Sequence, residues 1–212
     1  TETEGVTKYR LDFEQAPLPH PSLALQLEPW RQRLCALGLI GGNDPARYDG
    51  LGFGNLSHRL NPGSSDFIIS GTQTGHLEKM GPEAYALVIL CEPASNAIHA
   101  QGETPPSSEA MTHAAIYSAA PEAQAVIHVH SPEIWLQAES LGLAVTNPAV
   151  AYGTAEMADE FARLIRSGSL TANLISMGGH EDGIVSWGKT LDEAGELMLQ
   201  LARQVGMAEP GR

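Results

Sequence analysis

Residues 125–130 read Ala-Val-Ile-His-Val-His, an apolar run carrying two histidines one residue apart. Along a strand, alternate side chains point to opposite faces. His128 and His130 therefore share a face, roughly 6–7 Å apart along the chain. Polar groups on a buried strand need partners. The pair must be hydrogen-bonded within the core, or else both rings turn inward to one ion at about 2.0–2.1 Å.

The segments around this strand predict layered α/β structure. Residues 84–91 form a continuous apolar run, as expected of a strand covered on both faces. Residues 54–60 and 66–70 read as strands around the turn Asn61-Pro62-Gly63, and 96–102 as a shorter partner. Helical spacing marks 22–40, where Pro29 implies either two short helices or one that begins near it. Helices are also expected over 105–121, from Pro132 to about Leu141, over 154–168 and over 190–206. Thr190 and Glu193 form a capping-box pattern at the start of the last. Residues 171–188 read as two strands meeting at a glycine-rich turn. Residues 1–20 read as an arm or early strand. No repeat or linker divides the chain, so the expectation is one domain over 1–212 around a mixed, largely antiparallel sheet.

Composition removes several classes of function. The chain has 212 residues, with 25 acidic against 12 basic side chains and a net charge of −13. No Lys/Arg cluster supports nucleic-acid binding, and the charge disfavours anionic membrane surfaces. No apolar run is long enough to span a membrane, and no signal peptide is evident. Cys35 and Cys91 do not read as a disulfide framework. The expected location is the cytoplasm.

Two further residues can complete a site around the histidine pair. His180 lies in the turn Gly-Gly-His-Glu-Asp-Gly, where small neighbours allow close approach, and Asp182 is a competing ligand there. Glu109 opens the helix that precedes the His128 strand. It either complements the helix dipole or joins the metal site. Three histidines with an adjacent glutamate make a catalytic zinc arrangement with an exchangeable position. His113, one helical turn after Glu109, either orients that carboxylate or packs within the helix. The loops at 50–59, 70–75 and 106–109 are rich in glycine and hydroxyls. Together they suit a small anion held by backbone N–H groups and hydroxyls.

The segments GFGNLSHR, IISGTQTG, PSSEAMTHAAIY, VIHVHSP and GGHEDGIVSWGKTLDEA, in that order, resemble the class II aldolase/adducin head family. Its members include L-fuculose-phosphate aldolase and L-ribulose-phosphate 4-epimerase. The pairing of PSSE with HxH, 19 residues from Glu109 to His128, is its most specific mark. The resemblance implies a three-layer α/β/α sandwich and a divalent metal, most often Zn2+, with Co2+ or Mn2+ as alternatives. His128, His130 and His180 would hold it. Glu109 would ligate the resting metal or swing off it as the catalytic acid/base. Gly54, Asn55, Ser107 and Ser108 would hold a substrate phosphate. The 70–75 loop would add either Ser70 and Gly71 or Thr74 and Gly75. The stretch that carries a catalytic tyrosine in the aldolases is missing from this chain, and Tyr152, which is nearby, aligns better with the start of the following helix.

The expected activity is that of a metal-dependent aldehyde-lyase acting through a metal-stabilised enediolate. Its substrate would be a small hydroxy-carbonyl compound, such as a phosphorylated sugar or keto acid. A decarboxylase, 4-epimerase or dehydratase would use the same scaffold. A non-catalytic adducin-like assembly module would lack a reason to retain the ligands. A metallohydrolase is disfavoured by the absence of HExxH. A homo-oligomer, with the tetramer favoured, is also implied by the resemblance.

Overall fold

Alternation along the strands sorts the side chains onto two buried faces. The computed structural model describes residues 3–211. Among these, nine strands form one sheet. They are β1 (Arg10–Gln15), β2 (Asn55–Arg59), β3 (Phe67–Ser70), β4 (Tyr85–Glu92), β5 (Ala97–Gly102), β6 (Ala125–His130), β7 (Ala144–Val145), β8 (Leu174–Ser176) and β9 (Gly183–Gly188). The spatial order is β1-β5-β4-β3-β2-β6-β9-β8-β7. Only the edge pairs β1/β5 and β7/β8 are parallel, and the remaining neighbours are antiparallel.

Helices cover both faces. On one side α1 (Pro21–Ala36), α3 (Pro132–Leu136) and α5 (Leu191–Gln204) pack on Leu56, Ile68, Ile127, Val129 and Ile184. On the other, α2 (Ala110–Ala119) and α4 (Ala155–Arg166) pack on Phe67, Ile69, Val126, Val185 and Trp187. The result is the expected three-layer α/β/α sandwich with a mixed, largely antiparallel sheet. In β6, Ala125, Ile127 and Val129 join the first core and Val126 the second. The period of two therefore aims His128 and His130 toward the α2/α4 side.

Local chemistry explains where the helices begin. Ser131, Thr154 and Thr190 each accept a hydrogen bond from the backbone N–H three residues on, capping α3, α4 and α5. The capping box at Thr190 is modified, because Glu193 accepts from the Lys189 N–H at 2.8 Å rather than from its own cap residue.

The structure corrects several boundaries. α1 runs unbroken through Pro29 with Pro21 in its first turn. Pro29 cannot donate to the Leu25 carbonyl, and Leu25 is 54% exposed, so water can satisfy that group. α2 starts at Ala110, later than the 105–121 reading. Pro106 instead bridges Gly71, and the Ser107 N–H reaches the Ser70 carbonyl at 3.1 Å. Consecutive prolines hold this stretch extended. α3 ends at Leu136, short of Leu141, and the two-residue β7 had no distinct sequence signal.

Candidate metal centre

The centre lies where β6, the start of α2 and the turn before β9 meet. Antiparallel pairing puts His130 opposite Gly183. A Cβ on Gly183 would lie 2.6 Å from the His180 ring, so glycine there is what lets His180 fold over β9 toward His130. His180 Nε2 stands 2.8 Å from His130 Nε2, which is 3.1 Å from His128 Nε2. Glu109 Oε2 is 3.0 Å from His128 Nε2, and Glu109 Oε1 is 3.9 Å from His180 Nε2. All four side chains are buried.

This donor set fits a divalent cation. His128 Nδ1 faces the Ile184 carbonyl at 3.2 Å. A carbonyl only accepts, so Nδ1 carries the proton, and in the neutral ring Nε2 presents its lone pair to the centre. Burial drives the His130 imidazole well below its ordinary value and His180 down to about 4, which keeps both rings in the ligating neutral form. Burial works against a charge on Glu109. Positive charge among the facing imidazoles, His128 foremost, outweighs it and holds the carboxyl below its usual range, a task that falls to a cation once the rings are neutral ligands. Glu109 Oε1 is buried and has no hydrogen-bond partner. Ligands each about 2.0–2.1 Å from a tetrahedral ion stand about 3.3 Å apart, within the observed spread of separations. Zinc, cobalt and manganese would all find ligands here.

A directed hydrogen-bond chain steadies the glutamate. Tyr117 and Ser57 hydroxyls lie 2.7 Å apart, and Ser57 Oγ is 2.7 Å from His113 Nδ1. His113 Nε2 lies 2.5 Å from Asn55 Oδ1, and Asn55 Nδ2 donates to Glu109 Oε2 at 2.9 Å. Burial lowers the His113 imidazole to about 3, so it has one proton to give. That proton belongs on Nε2, facing the amide oxygen, and Nδ1 accepts from Ser57. Of the two readings of His113, the orienting one describes its contacts, through Asn55 rather than directly.

The anion-loop candidates separate into two groups. Gly54, Asn55, Gly71, Ser107 and Ser108 line one cavity of about 20 Å³ beside Glu109, together with Thr74 and Gly75. The Asn55 side chain is committed to Glu109 and His113. Ser70 does not line this cavity. Alternation puts it on the Leu56 face of the sheet, where its hydroxyl accepts from the Leu56 N–H at 3.1 Å. Asp182 is also turned away from the histidines. It is a left-handed turn residue (φ 67°), and its carboxylate accepts from the Tyr48 hydroxyl at 2.5 Å. The extended segment needed to align it with His180 is absent, because 178–182 is a turn.

Three neighbours complete the surroundings, of which Tyr48 and Glu4 had no useful sequence signal. The Tyr48 ring packs edge-on against His130, with centroids 4.9 Å apart. Tyr152 packs against His180 at 4.4 Å, so it supports the third histidine, and its hydroxyl donates to the Thr3 carbonyl at 2.5 Å. Glu4 brings its carboxylate to 3.5 Å from His180 Nε2 and 3.7 Å from His130 Nε2.

A buried three-histidine, one-glutamate centre on a largely antiparallel α/β/α scaffold defines a class of metal-dependent enzyme. Residues 44–208 match the family described as Class II Aldolase and Adducin N-terminal domain, and the chain belongs to that family. Relatives and structural neighbours of this chain carry aldolase and dehydratase names. The L-fuculose-1-phosphate aldolase of Thermus thermophilus shares the fold at TM-score 0.62 and 20% identity, over 86% of this chain and 90% of that one. A sugar-phosphate aldolase from Thermotoga maritima does so at TM-score 0.60 and 17% identity, over 87% and 93%. A methylthioribulose-1-phosphate dehydratase from Methylococcus capsulatus (strain ATCC 33009 / NCIMB 11132 / Bath) is 37% identical over 79 residues. That match covers 37% of this chain and 34% of the relative. No described helix is long and apolar enough to cross a membrane.

Proposed function

We propose that the protein is a metal-dependent aldehyde-lyase of the class II aldolase type. It would cleave or form a C–C bond in a small phosphorylated hydroxy-carbonyl compound, a sugar or keto acid. The observation that carries this reading is the buried convergence of three imidazole nitrogens on Glu109, whose Oε1 has no other partner. A divalent cation, zinc by preference for this nitrogen-rich set, would supply Lewis-acid polarisation of a carbonyl and its neighbouring hydroxyl.

The chain's own residues have distinct tasks. Asn55 pins Glu109 Oε2, so Oε1 is the atom that carries the proton to or from the carbon beside the carbonyl. Ser107 and Ser108, with Gly54 and Gly71 close by, hold the anionic end, and so orient the reacting end toward Glu109. Packing of Tyr48 and Tyr152 on the histidines excludes water. A cytoplasmic homotetramer belongs to the same reading, and the free thiols of Cys35 and Cys91 fit that compartment.

Dehydration is the second reading, favoured by the dehydratase relative. It uses the same carbon in the opposite order. In cleavage the C–C bond breaks as the leaving carbonyl's hydroxyl proton is lost, and the carbon is then protonated; in dehydration that carbon first loses its proton, and the neighbouring hydroxyl then leaves as water. The deciding experiment offers sugar phosphates and keto-acid phosphates to the zinc, cobalt and manganese forms and identifies products. Two carbonyl fragments mean aldol cleavage, and one product lighter by a water means dehydration. Glu109→Gln should lower turnover at least about a hundredfold with the fold intact. Equal turnover in the variant and the wild type would falsify the proton role.

A further inference from the structure

The polypeptide before residue 44 lies outside the family match, yet it reaches the metal centre. Its approach is anchored at several points. β1 pairs with β5, and the Tyr9 hydroxyl donates to the Ser107 carbonyl at 2.8 Å. The Val6 N–H donates to the Tyr152 hydroxyl at 2.9 Å, and Lys8 Nζ lies 3.8 Å from the Tyr152 ring centroid. Gly5 crosses the 70–75 loop so closely that a Cβ would stand 1.9 Å from Gln73 Nε2. Between these anchors Glu4 turns inward and is only 10% exposed.

The position of the Glu4 carboxylate is that of a ligand. Its oxygens reach two different imidazoles, at 3.5 and 3.7 Å. Those lengths exceed the usual N–H···O range of about 2.7–3.2 Å. They are close to the separation of about 3.3 Å between ligands that share one tetrahedral ion. Glu4, Glu109 and His180 also offer atoms within 4.8 Å of one another. Glu4 and Gly5 further wall the cavity formed by Ser107, Ser108 and Gly71, which has only about 20 Å³ left.

We propose that Glu4 is a further protein ligand of the metal centre, delivered by the N-terminal arm, and that the chelating oxygens of the substrate displace it. This rests on the cation-binding reading above. The arm thereby excludes ligands that cannot offer two oxygens to the ion, since a weaker donor would not repay the loss of the Glu4 carboxylate.

Cobalt titration with a competing chelator, cobalt absorption spectra and acetohydroxamate binding test it, on the wild-type chain, on Glu4→Gln and on a chain lacking residues 1–6. Acetohydroxamate is a bidentate oxygen ligand. Both variants should bind cobalt roughly tenfold more weakly and show a changed spectrum, as loss of one carboxylate requires. Acetohydroxamate should bind their cobalt forms several-fold more tightly than it binds the wild type, because no internal carboxylate competes. Far-UV circular dichroism checks that both remain folded. Cobalt affinity and spectrum unchanged in both variants would overturn the proposal, whatever acetohydroxamate does. A wild-type chain that takes up no cobalt would overturn the cation reading itself, and this proposal with it.

Discussion

The two faces of the sheet follow the same alternation and serve different ends. Under α1 and α5, the strands present Leu56, Ile68, Ile127, Val129 and Ile184, a continuous apolar layer. Under α2, the neighbouring positions of the same strands are Asn55, Ser57, His128 and His130. These too are buried, but each must find a partner in the protein or in an ion. The apolar face is stabilised by area and close packing, which tolerate small rearrangements. On the polar face, each side chain depends on the next, from Tyr117 through Ser57, His113 and Asn55 to Glu109. Both faces bury an apolar cluster, but the chemistry is confined to the polar patch of the second, and single substitutions should separate packing from metal binding.

The largest effect should come from breaking the polar face at its centre. His130→Ala should abolish uptake of divalent metal, measured by elemental analysis, while its circular dichroism spectrum stays native. Stoichiometric metal in that variant would show that the three histidines do not act as a set. On the opposite face, Ile127→Ala should cost about 2–5 kcal/mol in urea unfolding of the metal-free chain. Metal content per folded chain should not change. If it fell with stability, the two faces would not be independent.

Acid should act selectively on the polar face. His113 is held neutral down to about pH 3, whereas an unfolded histidine takes up a proton near 6.5. Between these values the unfolded chain binds the extra proton, so unfolding free energy must rise with pH. Stability should therefore decline as the pH is lowered from about 6.5 toward 3, and His113→Asn should flatten part of that slope. An identical slope in wild type and variant would remove His113 from the account.

Much of the centre was legible in the sequence because its cues are local. The period of two places His128 and His130 together from their spacing alone, and glycines around His180 signal close approach. Cap residues Ser131, Thr154 and Thr190 mark helix starts by a bond only three residues long. Where a reading failed, a distant contact or the solvent decided. Pro29 stays within α1, where the carbonyl it leaves without a donor belongs to the exposed Leu25. Asp182 is lost as a ligand because Tyr48, far away in the chain, takes its carboxylate. Ser70 alternates onto the Leu56 face, and only the packing of the helices decides which face of β3 meets the site.

By itself, the sequence determined the α/β class, the two strand histidines sharing a face and the candidate role of Glu109. The first two follow from backbone geometry and residue type within a few positions, and the role of Glu109 from the resemblance carried by PSSE and HxH. Only the tertiary structure decided that His180 closes over Gly183, that Asn55 serves Glu109 and that Glu4 returns from the N-terminal arm to the same centre. The contacts of Asn55 and Glu4 join residues more than 50 apart in the chain. Their distances depend on how strands pair and helices pack, which no local pattern of side chains encodes.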